Sequence, residues 1–278
     1  MGNFVLTEYM SKGILKITSN KSGKTVVIMA GVHGNEKVGG MAVDAICREN
    51  VTPSSGTVYF IKANLEAIEK NVRLVESNMN RCFSSDNKGI TNEEKRAKEI
   101  MSILDEADVL LDIHSFNDEE GEPFVIADGI STEVARILNV PILSTNWDSI
   151  HSGSADGYMN AKGKIGICIE CGPSIQAERF VSLAVDSIRR IFAEFEISGY
   201  EYKKPETQTQ VSVQRSIKKE TEIFSFSRTF KNFEKLKFGE VFAKDGEREY
   251  TAEKDECIIF PRPNAAKGGE VSIIGKYL

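Results

Sequence analysis

His33, Glu36, His114 and Glu170 are the residues of this chain whose types and settings could do chemistry together. Val26-Val27-Ile28-Met29-Ala30 is an apolar run that ends in Gly31-Val32 and delivers His33-Gly34-Asn35-Glu36. Asp108 to Ile113 (DVLLDI) is a second such run, and it delivers His114. His33-x-x-Glu36 puts an imidazole and a carboxylate close together, and His114 can add a third ligand from a neighbouring strand end. Two histidines and one glutamate are a catalytic zinc set, with the fourth position left to water. Zinc lowers the pKa of such water toward neutrality and polarises a carbonyl, which is how these sites hydrolyse amides. Taken singly, each signal has a plainer reading. His33 and Glu36 could be a capping histidine beside a solvated helix-start glutamate, and His114 a satisfied strand-end histidine.

Hydrolysis also needs a base. Ile167-Cys168-Ile169-Glu170-Cys171-Gly172-Pro173 sets a lone carboxylate at the end of an apolar strand. Desolvation there raises a carboxyl pKa toward the range useful for proton shuttling. A glutamate paired with a buried arginine is the bland alternative. Cys168-x-x-Cys171 lacks the helix-start setting that lowers a thiol pKa, so it reads as two buried thiols. Asn71-Val72-Arg73 and Asn78-Met79-Asn80-Arg81 lie in a stretch without helical periodicity, which suits a loop gripping an anion through arginine forks. Solvated surface arginines would look the same. Asp112, two residues before His114 on one strand face, can orient that ligand.

The elements that must position these residues alternate strand and helix signals, which implies crossover units and a mixed, mainly parallel sheet flanked by helices. Residues 5–18 read as an edge strand, 25–30 as a buried strand, and Glu36 to Arg48 as a helix. Gly39-Gly40 inside that helix calls for a packing or ligand reason. Further strands are expected at 57–63, 108–113, 124–127, 140–143 and 165–169. Thr91-Asn92-Glu93-Glu94 reads as a capping box opening a helix to about Glu106. Gln176 to Phe195 reads as a long amphipathic helix. Tyr200 to Gln210, with Pro205, reads as a linker, and short alternating segments at 210–215, 222–227, 240–243, 257–260 and 271–274 follow. The division expected is a hydrolase domain over 1–200 and a small all-β domain over 201–278.

Four of these segments resemble, in order and spacing, the succinylglutamate desuccinylase/aspartoacylase family of the zinc carboxypeptidase-like clan. They are Ala30-Gly31-Val32-His33-Gly34-Asn35-Glu36, Asn78-Met79-Asn80-Arg81-Cys82-Phe83, Asp112-Ile113-His114 and Ile169-Glu170-Cys171-Gly172-Pro173. The resemblance covers roughly residues 25–200, and the C-terminal β module looks like that family's second domain beside the active site. It implies one Zn2+ per chain held by His33, Glu36 and His114, with Glu170 as general acid/base. It also implies Asn80 and Arg81 as a substrate-binding pair, and Arg73 polarising the scissile carbonyl or holding a carboxylate. The reaction implied is hydrolysis of an N-acyl amino acid, or a similar amide, to a carboxylate and an amine. One departure concerns the substrate. Aspartoacylase-like members carry an arginine about ten residues before the catalytic glutamate, and here that place is near Asn160. Tyr158, Lys162 or Lys164 are the substitutes at hand. His151 matches no family ligand and reads as a surface loop histidine.

The composition, 41% hydrophobic and 27% charged over 278 residues, fits a globular protein with a sizeable core. A net charge of −6 disfavours nucleic acid as partner, since phosphate backbones are bound by clustered Lys and Arg. No apolar run approaches the roughly 20 residues needed to span a bilayer, and no signal peptide is visible. Five cysteines suit reduced thiols, so a cytoplasmic protein with no membrane partner is expected. A homo-oligomer stays open, as does cobalt or another divalent ion in place of zinc. Gly34-x4-Gly39 lacks the Lys-Ser/Thr of a phosphate loop, and no Gly-x-Ser-x-Gly elbow occurs. Two other readings remain: a metallocarboxypeptidase acting on short peptides, and a non-catalytic metal-binding protein on the same scaffold.

Overall fold

The computed structural model describes residues 5–117, 120–205 and 207–278. Its first half holds strands β1 (Val5–Ser11), β2 (Ile14–Ser19) and β3 (Thr25–Ala30), helix α1 (Lys37–Arg48), β4 (Thr57–Lys62) and α2 (Leu65–Lys70). Helix α3 (Asn92–Leu104), β5 (Val109–Phe116), β6 (Phe124–Ala127), α4 (Ser131–Ala135), β7 (Ile142–Thr145) and α5 (Ala155–Ala161) come next. The long pair β8 (Ile165–Pro173) and α6 (Ala177–Glu194) closes that part. Seven strands follow: β9 (Thr209–Lys218), β10 (Phe224–Phe226), β11 (Glu234–Lys235), β12 (Val241–Asp245), β13 (Arg248–Thr251), β14 (Glu256–Ile259) and β15 (Glu270–Tyr277).

Strand order in the main sheet is β1-β2-β4-β3-β5-β8-β6-β7-β9-β15-β14-β11. Its centre is parallel, through the pairs β4-β3, β3-β5 and β5-β8. Alternate residues of β3 explain why this strand is apolar throughout. Val26 and Ile28 pack beneath α1 and α6, whereas Val27 and Met29 pack against Ala97, Ile100 and Leu104 of α3. A strand covered on both faces has no solvent side to be polar on. The expected capping box is present: Glu94 N–H donates to Thr91 Oγ1 and Thr91 N–H to Glu94 Oε2, each at 3.2 Å.

Three expectations shift in detail. The edge segment 5–18 is a hairpin of two strands, turned at Gly13 with φ +78°. Strand β5 runs on to Phe116 and β8 to Pro173, so His114 and Glu170 sit within strands rather than just after them. In the C-terminal part β11 and β13 lie outside the expected segments, being too short and polar to show an alternation. Strand β9 pairs parallel to β7, so β9, β15, β14 and β11 prolong the main sheet, while β10, β12 and β13 form a separate three-stranded sheet. No helix among the described residues is long and apolar enough to cross a membrane.

The two glycines of α1 prove unlike. A Cβ on Gly39 would lie 2.8 Å from Ala30 Cβ and 2.9 Å from Ile113 O, so this helix rests on β3 and β5 only through a bare Cα. A Cβ on Gly40 meets nothing within 4 Å. Gly40→Ala is therefore expected to stabilise by about 0.5–1 kcal/mol through helix propensity. Gly39→Ala is expected to destabilise by about 1–3 kcal/mol through overpacking. Urea unfolding of both variants checks this, and shifts of the same sign would contradict it.

Candidate metal centre and active site

Backbone contacts set the first two ligands. Gly31 leaves β3 with φ +72°, and a Cβ there would meet Ile68 Cδ1 at 2.6 Å. Gly34 lies flat on the next loop, where a Cβ would be 2.0 Å from the carbonyl carbon of Ala67. Only glycine allows that approach, and it fixes the chain between His33 and Glu36. Glu36 occupies the N-cap of α1 without making a side-chain cap bond. Its carboxylate turns inward instead. Glu36 Oε1 lies 2.7 Å from His33 Nδ1, and Glu36 Oε2 lies 2.9 Å from His114 Nδ1. All three side chains are buried, and one donor atom of each falls within 4.8 Å of the others.

The outer ring nitrogens decide what this cluster wants. His114 Nε2 is 2.9 Å from Asp112 Oδ2, and His33 Nε2 is 3.1 Å from Asn78 Oδ1. That amide is oriented by Asn80 N–H, which donates to Asn78 Oδ1 at 3.1 Å. Both Nε2 atoms thus face acceptors and carry hydrogen, so in neutral imidazoles both Nδ1 lone pairs point at the Glu36 carboxylate. Acceptors facing acceptors need a positive charge among them. Without a cation a proton serves at His114: burial opposes it, but Asp112 and Glu36 hold its pKa well above the usual histidine value. Burial lowers the pKa of His33 and outweighs the pull of Glu36. Glu36 ionises readily despite burial, because His33 and His114 hold it far below the usual carboxylate range. Two neutral imidazoles and a carboxylate fit a zinc ion, and binding it would release the His114 proton.

Glu170 stands beside His114 in the register of β5 and β8 and lines the same cavity. Its Oε2 is buried without a hydrogen-bond partner among the described residues. Burial, and then the Glu36 charge, push its pKa up to about 8. Among the described residues no arginine pairs with it, so the bland reading of a structural ion pair is not what the geometry contains; Arg73 acts on it only through its field, which lowers the pKa. Arg73 reaches the site from the loop after α2, with Nη1 3.0 Å from Glu36 Oε1. Buried Glu93 ties that loop down by accepting Val75 N–H at 2.7 Å and Glu76 N–H at 3.1 Å. Asn80 and Arg81 belong to a tight turn (Met79–Arg81) anchored by buried Met79, and both line the cavity of about 220 Å³.

Residues 22–196 match the succinylglutamate desuccinylase/aspartoacylase catalytic domain, and residues 209–273 match the AstE/AspA barrel-sandwich hybrid domain. The chain belongs to the succinylglutamate desuccinylase/aspartoacylase family. Among curated relatives, the succinylglutamate desuccinylase of Vibrio vulnificus is 25% identical over 315 residues, covering 99% of this chain and 87% of the relative. A probable aspartoacylase of Nostoc is 28% identical over 166 residues, 54% of this chain and 56% of that one. The fold is shared with the solved succinylglutamate desuccinylase of Vibrio cholerae (TM-score 0.81, 19% identity, 99% of this chain and 90% of that chain). It is shared too with the product-bound ectoine utilization protein of Ruegeria pomeroyi (TM-score 0.74, 20% identity, 99% and 94%).

Set against this family's pattern, one expected substrate residue is not brought to the cavity. Tyr158 lies on the outer side of α5, where its hydroxyl donates to Asp105 Oδ1 at 2.7 Å and accepts from Lys162 Nζ at 2.7 Å. Lys164 is spent on the carbonyls of Leu104 and Asp105, and Asn160 on Ser131 and Asp148. From α5 the cavity receives Asp156 instead, a buried carboxyl whose pKa burial raises to about 6. His151 also departs from expectation. It is not a free surface histidine but a cavity wall residue, with Nε2 2.7 Å from Glu270 Oε2. Glu270, Phe260 and Arg262 come to the same wall from the C-terminal strands and their connections. No spacing in the sequence announces contacts across more than a hundred residues. Cys168 and Cys171 lie in different apolar clusters with their thiol pKa values raised by burial, as inert thiols should be.

Because Asp112 and Asn78 fix the ring tautomers, Asp112→Asn and Asn78→Ala are each expected to weaken zinc binding about 10- to 100-fold. Competition against a chromophoric chelator measures this. Unchanged affinity in both, with the fold intact by circular dichroism, would remove the tautomer argument.

Proposed function

We propose that the protein is a zinc-dependent deacylase that hydrolyses the amide bond of a small N-acyl amino acid. The observation that carries this is the convergence of His33, Glu36, His114, Glu170, Arg73, Asn80 and Arg81 on one cavity of about 220 Å³. His33, Glu36 and His114 would hold the ion. A divalent ion there supplies Lewis acidity, polarising a carbonyl and acidifying water.

The chain's own groups do the rest. Arg81 and Asn80 hold the substrate carboxylate, and the Arg81 fork is suited to it. Glu170 takes a proton from the attacking water as the new C–O bond forms, and Arg73 faces the charge that develops on the carbonyl oxygen. When the C–N bond breaks, Glu170 returns its proton to the leaving nitrogen, so a carboxylate and an amine depart. A group with a pKa near working pH serves both halves of that exchange, and desolvation has moved Glu170 toward it. A metallocarboxypeptidase would use the same ion and base. The small cavity favours an acyl amino acid over a peptide.

Glu170→Gln is expected to lower kcat by about 10²- to 10⁴-fold, the usual range for losing a general base. Elemental analysis should still find one zinc per chain. A variant that keeps both zinc and full hydrolysis would defeat the assignment. Dialysis of the wild-type protein against a chelator should abolish hydrolysis of acetyl and succinyl amino acids, and added zinc should restore it. Activity that survives chelation would exclude the metal mechanism, and turnover confined to C-terminal peptide substrates would favour the carboxypeptidase.

A further inference from the structure

We propose that His151 is a positioning residue: bonded to Glu270, it holds the loop at 146–153 against Arg81, the arginine that receives the substrate carboxylate. This deepens the proposed function and rests on it for the role of Arg81 alone.

His151 is neither a ligand nor a base of the site, yet its partners are specific. Its Nε2 lies 2.7 Å from Glu270 Oε2, and the two side chains are only 21% and 17% exposed. A carboxylate accepts and does not donate, so that nitrogen carries the hydrogen. Glu270 Oε2 also accepts from Ser216 Oγ at 2.7 Å, which ties the contact into β9 as well as β15. The loop is fixed at its start by Trp147, which is buried against Phe124 and Phe260 and donates from Nε1 to Ser144 Oγ at 2.7 Å. Across 149–153, the side-chain hydrogen bond that reaches another element among the described residues is the one from His151.

The loop ends on Arg81. Gly153 has φ +86°, and a Cβ there would lie 2.6 Å from Arg81 O and 3.0 Å from Arg81 Cα. Phe83 N–H donates to Gly153 O at 3.0 Å. The turn Met79–Arg81 is therefore braced from outside by a loop that His151, just before Gly153, fastens to the C-terminal strands. Glu270 also acts on Arg81 through space. Burial works against the Arg81 charge, as do Arg73 and Arg262, while Glu270 and Asp156 sustain it. Breaking the His151 bond frees the loop, and the arginine loses its brace without any change at His33, Glu36 or His114.

The test compares His151→Gln with His151→Asn in the zinc-loaded, full-length protein. A glutamine amide reaches about as far as ring Nε2, whereas an asparagine amide stops at the place of Nδ1. Hydrogen exchange read by mass spectrometry should quicken over 79–83 in His151→Asn and stay near wild type in His151→Gln. That reading is independent of any activity. On the N-acyl amino acid that the wild type hydrolyses best, His151→Asn should raise KM by about fivefold or more, the worth of one hydrogen bond, and change kcat less. Glu270→Leu separates positioning from charge. Losing a negative charge from the cavity would by itself tighten an anion and lower KM, whereas losing the hold on the loop raises it. His151→Asn combined with Glu270→Leu should cost no more than the worse single variant. Unchanged exchange at 79–83, glutamine and asparagine behaving alike, a lower KM in Glu270→Leu, or additive effects would each overturn the proposal. Quickened exchange in a protein that hydrolyses no acyl amino acid would defeat the proposed function and leave His151 holding the loop.

Discussion

A carboxylate and two imidazole nitrogens aimed at one another inside a protein repel unless something positive lies among them. Much of this molecule is built to hold that arrangement. Gly34 lets the loop carrying His33 and Glu36 lie flat against Ala67, and Gly39 lets the helix that Glu36 begins rest directly on β3 and β5. Outside the cluster, Asp112 and Asn78 face the outer nitrogens of the two rings, which favours the orientation that keeps the inner nitrogens aimed at Glu36. Each constraint costs stability on its own. Their convergence on three atoms is intelligible as preparation for a cation.

The two glutamates of the site show how environment assigns roles. Glu36 and Glu170 are both withdrawn from water, which alone would raise both pKa values. Glu36 faces His114, which carries the proton when no cation is bound, and receives a backbone N–H from Ser115 and the Arg73 guanidinium, so its ionised form is held. Glu170 receives no hydrogen bond at Oε2 among the described residues and stands in the field of Glu36, so its proton is kept longer. One carboxylate is thereby a permanent anion fit to ligate. Its neighbour is a group that can give and take a proton near neutrality.

What could be read in advance follows the range of the interactions. Strands covered on both faces are uniformly apolar, so β3, β5 and β8 announce themselves, and with them the residues they deliver. The Thr91 capping box is local and equally plain. Helix α5 is harder: seven residues do not reveal which face turns inward, so Tyr158, Lys162 and Lys164 read as substitutes, whereas Asp156 is the side chain of this helix that lines the cavity. His151 looked like a surface residue because its partner, Glu270, is 119 positions away. Loop fixation by Glu93 was hidden for a related reason, since a second acid in a capping box looks like ordinary helix-start charge.

Sheet continuity explains why the outer wall is made by the part of the chain farthest in sequence. Pairing of β9 with β7 prolongs the sheet, and β15 lies next to β9, which brings Glu270 at the start of β15 to the mouth of the cavity. The residues of the candidate site sit on or beside central strands whose positions are fixed by packing on both faces. The outer wall comes from connections and strand ends, where a change of side chain disturbs little of the core. Side chains on that wall can therefore change without moving the groups around the candidate metal site.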